Sequence, residues 1–438
     1  MTSSTLDDQA RSCDTNHSPE RRRRVDYPQC RRFTYGLLTS LLTVAHLTGC
    51  NKPEEQTLLI AEKDYAAPLP LGSVALRPIT DPQRLSDFRP AFYLQTNLAG
   101  AVDRSLAYLA KPSSQDYFPY DPEGRITHAR AVASLKLFQQ TLADAQDADQ
   151  LDELIRRRFE VWESVGCDEE GTVLFTGYYG PIFEARLKPD DRFRFPLYAL
   201  PDDLVKDSEG SCIGRRLDDG SILSGYYDRR QIISSNVLAG KEICYLQDPF
   251  QAYIVTVQGS AKLRLRDGSY FEIGYAANNG HDYVSIGKLL VEDGKISADE
   301  LSLSAMMTFF GEFPNEVRYY TNRNPRYVFF EPRSGGPYGS LNERVTPYRS
   351  IATDKEVYPR ACVTLLSTRL PGYQDGQIVE KNYTAFALDQ DTGGAIRAPG
   401  RCDVFMGTGD AVAKLAGRTM AEGTLYYLFA KPESAQPQ

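Results

Sequence analysis

Two carboxylates stand close together late in the chain, in the stretch TAFALDQDTGGAIRAPGRCDVFMGTGDAVAKLAG at residues 384–417. An apolar run, Ala385 to Leu388, leads into Asp389 and Asp391. Gly393-Gly394 and a Pro399-Gly400 turn follow, then a second run from Arg401 to Phe405 that carries Asp403 between Cys402 and Val404. The pattern reads as strand, glycine turn, strand, glycine loop, helix start. Asp is disfavoured in strands, and burial favours its neutral form. A carboxyl group kept protonated near neutral pH is a general acid. The ordinary reading stands beside it: Asp391 caps a turn and Asp403 pairs with Arg401. Gly407-Thr408-Gly409 is not a phosphate loop, because no Lys-Ser/Thr follows it.

Other chemistries find little material. Of the four histidines only His128 and His281 lie beyond the leader described below, too few for a histidine-rich metal site or a His-based triad. His281 reads as a satisfied turn residue. Eight cysteines are present, of which Cys13, Cys30 and Cys50 belong to the leader or its end. The remaining five allow two pairings in an oxidising compartment, Cys212 with Cys244 and Cys362 with Cys402. No C-x-x-C spacing occurs, so neither a metal nor a cofactor is expected. The formal charge of −8 argues against a nucleic-acid partner. The 27 tyrosines suit sugar stacking as well as β-rich cores.

The N-terminus reads as an export leader over residues 1–49. Arg21 to Arg24 and Arg31-Arg32 form a basic region, and Phe33 to Leu47 an apolar one too short for a membrane span. Leu47-Thr48-Gly49-Cys50 resembles a lipoprotein processing site, with Cys50 the lipidated residue. Acyl chains on that residue would hold the chain on a membrane, and Asn51 after it is compatible with the outer membrane. Loss of the leader removes seven basic and five acidic residues, so the rest is more acidic still. Attraction to an anionic polymer must then be local to a groove. Residues 50–85 read as a tether.

Apolar residues at helical spacing predict helices over Phe92 to Ala110, Thr127 to Ala143 and Leu151 to Val165. After Gly171 the period changes to that of strands, beginning with Thr172 to Tyr179. Phe250 to Leu263 reads as a strand broken at Gln258-Gly259-Ser260, and Asp267-Gly268 as a hairpin turn. Ser297-Ala298-Asp299-Glu300 reads as a capping box for a helix through Phe310. Asp354 reads as a turn or salt-bridge acid.

Several separated motifs occur in an order that resembles the membrane-bound lytic murein transglycosylase A family. They are F-T-G-Y-Y-x-P-x-x-x-A-R at 175–186, V-Q-G-S at 257–260 and N-G-H-x-Y-x-S-I-G at 279–287. R-S-x-A-x-D at 349–354, D-x-G-G-A-I at 391–396 and R-x-D-x-F-x-G-x-G-x-A at 401–411 complete the set. The family's usual Pro-Gly after R-S-x-A-x-D is replaced here by Pro359-Arg360-Ala361. The resemblance implies a mainly β chain with N-terminal helices. Its core would be a double-psi β-barrel from 86–180 and 334–432, with a second β-rich, glycan-binding domain inserted at 181–333. It implies Asp403 as the catalytic acid/base with Asp391 beside it. Substrate contact would fall to Thr176, Gly177 and Tyr178, to Gln258, Gly259 and Ser260, to Asn279, Gly280 and His281, and to Gly393 and Gly394.

The implied reaction cleaves the β-1,4 bond between N-acetylmuramic acid and N-acetylglucosamine in peptidoglycan without water, giving 1,6-anhydro ends. Asp391 would orient Asp403 by hydrogen bonding and raise its pKa by like charge. The implied place is the outer membrane, lipid-anchored, with the domains in the periplasm. Two alternatives stay open: a hydrolytic muramidase using the two aspartates as a pair, and an inactive peptidoglycan-binding lipoprotein.

Overall fold

The computed structural model describes residues 63–70, 73–207, 210–297, 301–393 and 396–432. The leader, Cys50 and Gly394 lie outside them. No helix among the described residues is long and apolar enough to cross a membrane.

The chain opens with strand β1 (Leu76–Pro78) and four helices: α1 (Arg89–Phe92), α2 (Leu98–Leu109), α3 (His128–Asp144) and α4 (Ala148–Arg158). The first expected helix is broken, because Asn97 takes φ +62° ahead of α2. The third stops early. Phe159–Ser164, expected as its last turn, is strand β2, which pairs with β1 and delivers Phe159, Val161 and Trp162 to the core. Its F-E-V-W-E sequence is rich in strand-favouring residues, and that preference prevails over the helical spacing.

Strand β3 (Val173–Gly180) then runs through Pro181 into β4 (Ile182–Arg186). The next segment holds β5 (Phe195–Tyr198), β6 (Leu204–Lys206), β7 (Cys212–Arg216), β8 (Ile222–Ser224), α5 (Arg229–Ser234) and β9 (Glu242–Leu246). After these come α6 (Pro249–Gln258), β10 (Ala261–Arg264), β11 (Tyr270–Asn278), α7 (Ile286–Glu292), α8 (Leu303–Glu312), α9 (Val317–Thr321) and β12 (Val328–Pro332). Six of these strands form one sheet in the order β12-β11-β10-β4-β9-β5, and β6-β7-β8 form a small one. The expected strand at Phe250 is the helix α6. Asp248 caps it, accepting from the Gln251 N–H, and Pro249 occupies its first turn. Packing of Phe250, Tyr253 and Ile254 into the core of this sheet overrides the β-branched character of YIVTV. The cap of α8 is Ser302, which accepts from the Ala305 N–H, and not the expected capping box at Ser297; 298–300 lie outside the described residues.

The rest of the chain supplies β13 (Ser350–Ala352), β14 (Val363–Gln374), β15 (Gln377–Asp391), β16 (Arg401–Thr408), α10 (Asp410–Ala416) and β17 (Met420–Ala430). The order β17-β14-β15-β13-β16-β3 closes on itself through β17–β3 pairing, a six-stranded barrel. The fold is mainly β, a double-psi β-barrel with the second β-rich part inserted between β3 and β13. Val173, Phe175, Ile351, Leu365, Phe386, Leu388, Cys402, Val404 and Leu428 point into one core with Phe138 and Leu135 of α3, so the helices are a packed layer on the barrel. Neither of the two pairings that the sequence allows is formed: all five cysteines among the described residues are free. Cys402 lies in β16 and Cys362 directly before β14, and two strands of the barrel separate β16 from β14. Cys212 in β7 and Cys244 in β9 belong to different sheets. Bridging needs Cα atoms within about 7 Å.

Candidate active site

Asp403 is placed by strand register. In the parallel pair β16–β3 it stands opposite Thr176, and in the antiparallel pair β13–β16 opposite Ala352. Its neighbours Cys402 and Val404 fill the barrel, so the pleat sends Arg401, Asp403 and Phe405 to the outer face. On β3 the same face carries Thr176 and Tyr178. The Thr176 hydroxyl donates to Asp403 Oδ1. Arg401 Nη2 lies 3.5 Å from that oxygen and donates to Thr176 Oγ1 at 3.3 Å. The ordinary ion pair read from sequence is therefore present. It is not sealed in the core, because the two side chains keep 27% and 17% of their surface.

Asp391 ends β15 and is held differently. Its carboxylate accepts from Tyr178 Oη at 2.8 Å, from Ser340 N at 2.8 Å and from Thr392 N at 2.8 Å. Burial strips water from it and pushes its pKa up, although these three donors work the other way. Tyr178, enclosed beside both aspartates, is pushed up as well, first by burial and then by the Asp391 charge. None of these bonds goes to Asp403: the expected orienting hydrogen bond between the carboxylates is replaced by Tyr178 on one side and Thr176 on the other. Ser340 reaches Asp391 because Gly339 has no side chain. A Cβ there would stand 2.8 Å from Gln390 O, 2.8 Å from Val345 Cγ1 and 3.1 Å from Asp391 Cγ.

A groove of about 1060 Å³ runs between the barrel and the inserted sheet. Tyr178, Asp391, Gly393 and Phe405 line its barrel side; Gln258, Gly259, Ser260, Tyr275 and Asn278 line the other; Tyr338 to Ser340 bridge them. Tyr178 and Phe405 pack at 5.2 Å between ring centroids. Asp403 and Thr176 are not in the groove wall itself. They continue the outer face of β16 and β3 one pleat beyond this ring pair. A second cleft of about 960 Å³, between α8 and α10, contains neither aspartate.

Of the expected sugar contacts, Tyr178, Gln258, Gly259, Ser260 and Gly393 lie on the groove. Gly177 does not: a Cβ there would meet Met406 Sδ at 2.7 Å and Ala416 Cα at 2.9 Å, so it lets α10 pack on β3. Asn279, Gly280 and His281 are also off the wall. Asn279 is 1% exposed, donates to the Tyr227 and Pro325 carbonyls and accepts from Tyr327 N. Gly280 holds φ +78° against Cys212, and the His281 ring bonds the Tyr226 carbonyl at 2.9 Å, so the three shape a turn whose neighbour Asn278 takes the groove position. Asp354 is a turn acid, accepting from Ala398 N at 2.8 Å and Glu356 N at 3.1 Å. The Gly339-Ser340 loop and the cations Arg326 and Arg397 on the groove escaped the sequence reading. The Gly- and Ser-rich composition of 334–340 and the arginine inside D-x-G-G-A-I-R were the available signals.

A family model described as the MltA specific insert domain matches residues 174–331, and one described as the 3D domain matches 349–429. The membrane-bound lytic murein transglycosylase A of Vibrio cholerae is 30% identical over 266 residues, 60% of this chain and 67% of that protein. The Escherichia coli protein of the same name is 29% identical over 277 residues, 62% of this chain and 70% of that one. Among solved structures, a membrane-bound lytic murein transglycosylase from Agrobacterium tumefaciens superposes with a TM-score of 0.65 at 25% identity, covering 83% of this chain and 100% of that one. Escherichia coli MltA with bound chitohexaose superposes with a TM-score of 0.57 at 22% identity, covering 85% and 97%. With matches on both the inserted sheet and the barrel, the chain belongs to the membrane-bound lytic murein transglycosylase A family.

Proposed function

We propose that this protein is a murein-degrading lytic transglycosylase in which Asp403 alone serves as acid and then as base. Family membership supports the enzyme class. The observation that carries the residue assignment is the Asp403–Thr176 pair, on the same face of β16 and β3 as the groove residues Phe405 and Tyr178. Protonated Asp403 gives its proton to the glycosidic oxygen as the C1–O bond of N-acetylmuramic acid breaks, its electron pair going to that oxygen. The C6 hydroxyl of the same sugar then attacks C1, and its proton returns to Asp403. A 1,6-anhydro ring forms and no water enters. One group must be both donor and acceptor, and Thr176 suits both states, since its hydroxyl can donate to the carboxylate or accept from the acid.

Asp391, with its raised carboxyl on the groove wall, serves as a fixed neighbour that holds Tyr178 and the Ser340 loop against the sugar. The barrel parts, 86–180 and 334–432, carry the chemistry, and 181–333 supplies the facing wall. Lipidation at Cys50 anchors the chain to the outer membrane with its domains in the periplasm. The decisive experiment digests purified sacculi with the parent protein and with Asp403→Asn, followed by mass spectrometry of the soluble products. Anhydro ends, one water lighter than reducing ends, are expected from the parent and almost none from the variant. Reducing ends would turn the reading to a hydrolytic muramidase using both aspartates, and near-normal turnover by the variant would remove Asp403 from the mechanism.

A further inference from the structure

Tyr117 reaches the groove from outside both sheets. It closes the short 3-10 segment Pro112–Tyr117 that follows α2. Its side chain lines the groove shared by Asp391, Thr392 and Gly393, and the residue is 47% exposed. One face of the ring is covered: the Arg360 guanidinium carbon lies 3.9 Å from its centroid. That is a close cation–π contact. Among the described residues Arg360 has no ion pair, and its buried Nε has no hydrogen-bond partner, so the ring is what orders the guanidinium. The turn beneath fixes Arg360 in turn. Ala361 takes φ +63°, and its N–H donates to the Asp389 carbonyl at 2.8 Å, pinning the turn to the strand that ends in Asp391. Arg360 belongs to the Pro359-Arg360-Ala361 segment, where this sequence departs from the family pattern.

We propose that Tyr117, backed by Arg360, is a stacking platform for a pyranose ring, so that the N-terminal helical layer supplies a sugar subsite to the groove. The inference rests on the glycan-cleaving reading above. A pyranose presents a flat face of C–H groups, and an aromatic face is its usual apolar complement. Arg360 covers one side of the ring, which leaves the other side for a sugar. The guanidinium also fixes the ring before binding, which lowers the ordering cost of the contact. Arg360 is then a positioning residue that acts through Tyr117.

The test uses the full chain carrying Asp403→Asn, titrated with a soluble N-acetylglucosamine hexamer by calorimetry. Adding Tyr117→Ala weakens binding about 10-fold, adding Tyr117→Phe changes it by less than about 2-fold, and adding Arg360→Gln weakens it about 3-fold. In the active chain Tyr117→Ala raises KM for solubilised glycan strands by a similar factor, with little change in kcat. Should the alanine variant fail to show a cooperative melt, Tyr117→Leu, which fills the space without a ring, carries the test. Equal hexamer affinity with and without the Tyr117 ring overturns this inference alone, and so does a Phe variant as weak as the Ala one. No hexamer binding by the Asp403→Asn parent overturns it together with the glycan reading, whereas turnover by that parent sinks only the catalytic assignment of Asp403.

Discussion

Replacing Thr176 by Val removes one hydroxyl and nothing else of comparable size. That hydroxyl donates to Asp403 Oδ1 and accepts from Arg401 Nη2 at 3.3 Å. A hydrogen bond to a charged group is worth about 1.5–3 kcal/mol. If it acts on the carboxylate during proton transfer, its loss lowers kcat by about 10- to 150-fold, at about 1.4 kcal/mol per decade. Stability should fall by no more than about the same 1.5–3 kcal/mol, the value of the lost bond, because Thr176 is half-buried and Val keeps both its shape and its strand preference. Thr176→Ser retains the hydroxyl and should stay within about 3-fold of the parent in rate. The assay is release of soluble anhydro-muropeptides from sacculi, with melting curves recorded on the same preparations. A Val variant that melts normally and turns over within about 2-fold of the parent would show that the pair contributes to neither stability nor rate, and the assignment built on it would fail.

Burial holds the Asp391 carboxyl above its unfolded range, so the folded chain binds that proton more tightly than the unfolded one. The stability this contributes is fully present below about pH 4 and is lost as pH rises through the raised value. Asp391→Asn should therefore gain in melting temperature relative to the parent as pH rises from 4 to 8, and a difference independent of pH refutes the argument. Gly339→Ala places a methyl 2.8 Å from Gln390 O and should cost about 1–3 kcal/mol while displacing Ser340 from Asp391; an unchanged melt and rate would show that the loop yields freely. With all five described cysteines free, dithiothreitol should leave the melting temperature unchanged. A drop of several degrees would reveal a bridge worth about 2–4 kcal/mol.

The strand, turn and strand around the two aspartates were legible because the pattern is local: an apolar run, glycines, a Pro-Gly turn and a second run became β15 and β16. The partner of Asp403 was not local. Thr176 lies 227 residues away, and only barrel closure sets the register between β16 and β3; periodicity carries no such information, and the resemblance alone pointed to Thr176. For Asn279 and His281 the resemblance implied sugar contact, whereas the reading of His281 as a satisfied turn residue is what the structure shows. A polar side chain in a motif looks the same whether it faces a ligand or satisfies backbone groups, and these two bond the carbonyls of Tyr227, Pro325 and Tyr226. The α6 error was avoidable in part, since Asp248-Pro249 is a helix-start signal that outranks a β-branched run.

The groove is richer in cations than the chain as a whole. The chain carries a formal −8, yet Lys206, Lys262, Arg326, Arg333 and Arg397 line the groove against two acids, Asp391 and Glu331. Arg333 is already paired with Glu331 at 2.8 Å, and Lys262 faces Glu272 at 3.5 Å. Lys206 and Arg326 instead donate to carbonyls, of Ala276 and His281, which anchors them without cancelling their charge. Cations held this way keep their charge, which acts within a Debye length of about 8–10 Å. At Asp391 it is three hydrogen-bond donors and the buried Lys355, not the groove cations, that oppose the burial raising its carboxyl. A sugar ring bound beside Tyr178, as proposed above, would exclude water from that face and push the Asp391 carboxyl further in the direction burial already sets. On that proposal, desolvation by the substrate would couple occupancy of the groove to the proton affinity of its wall.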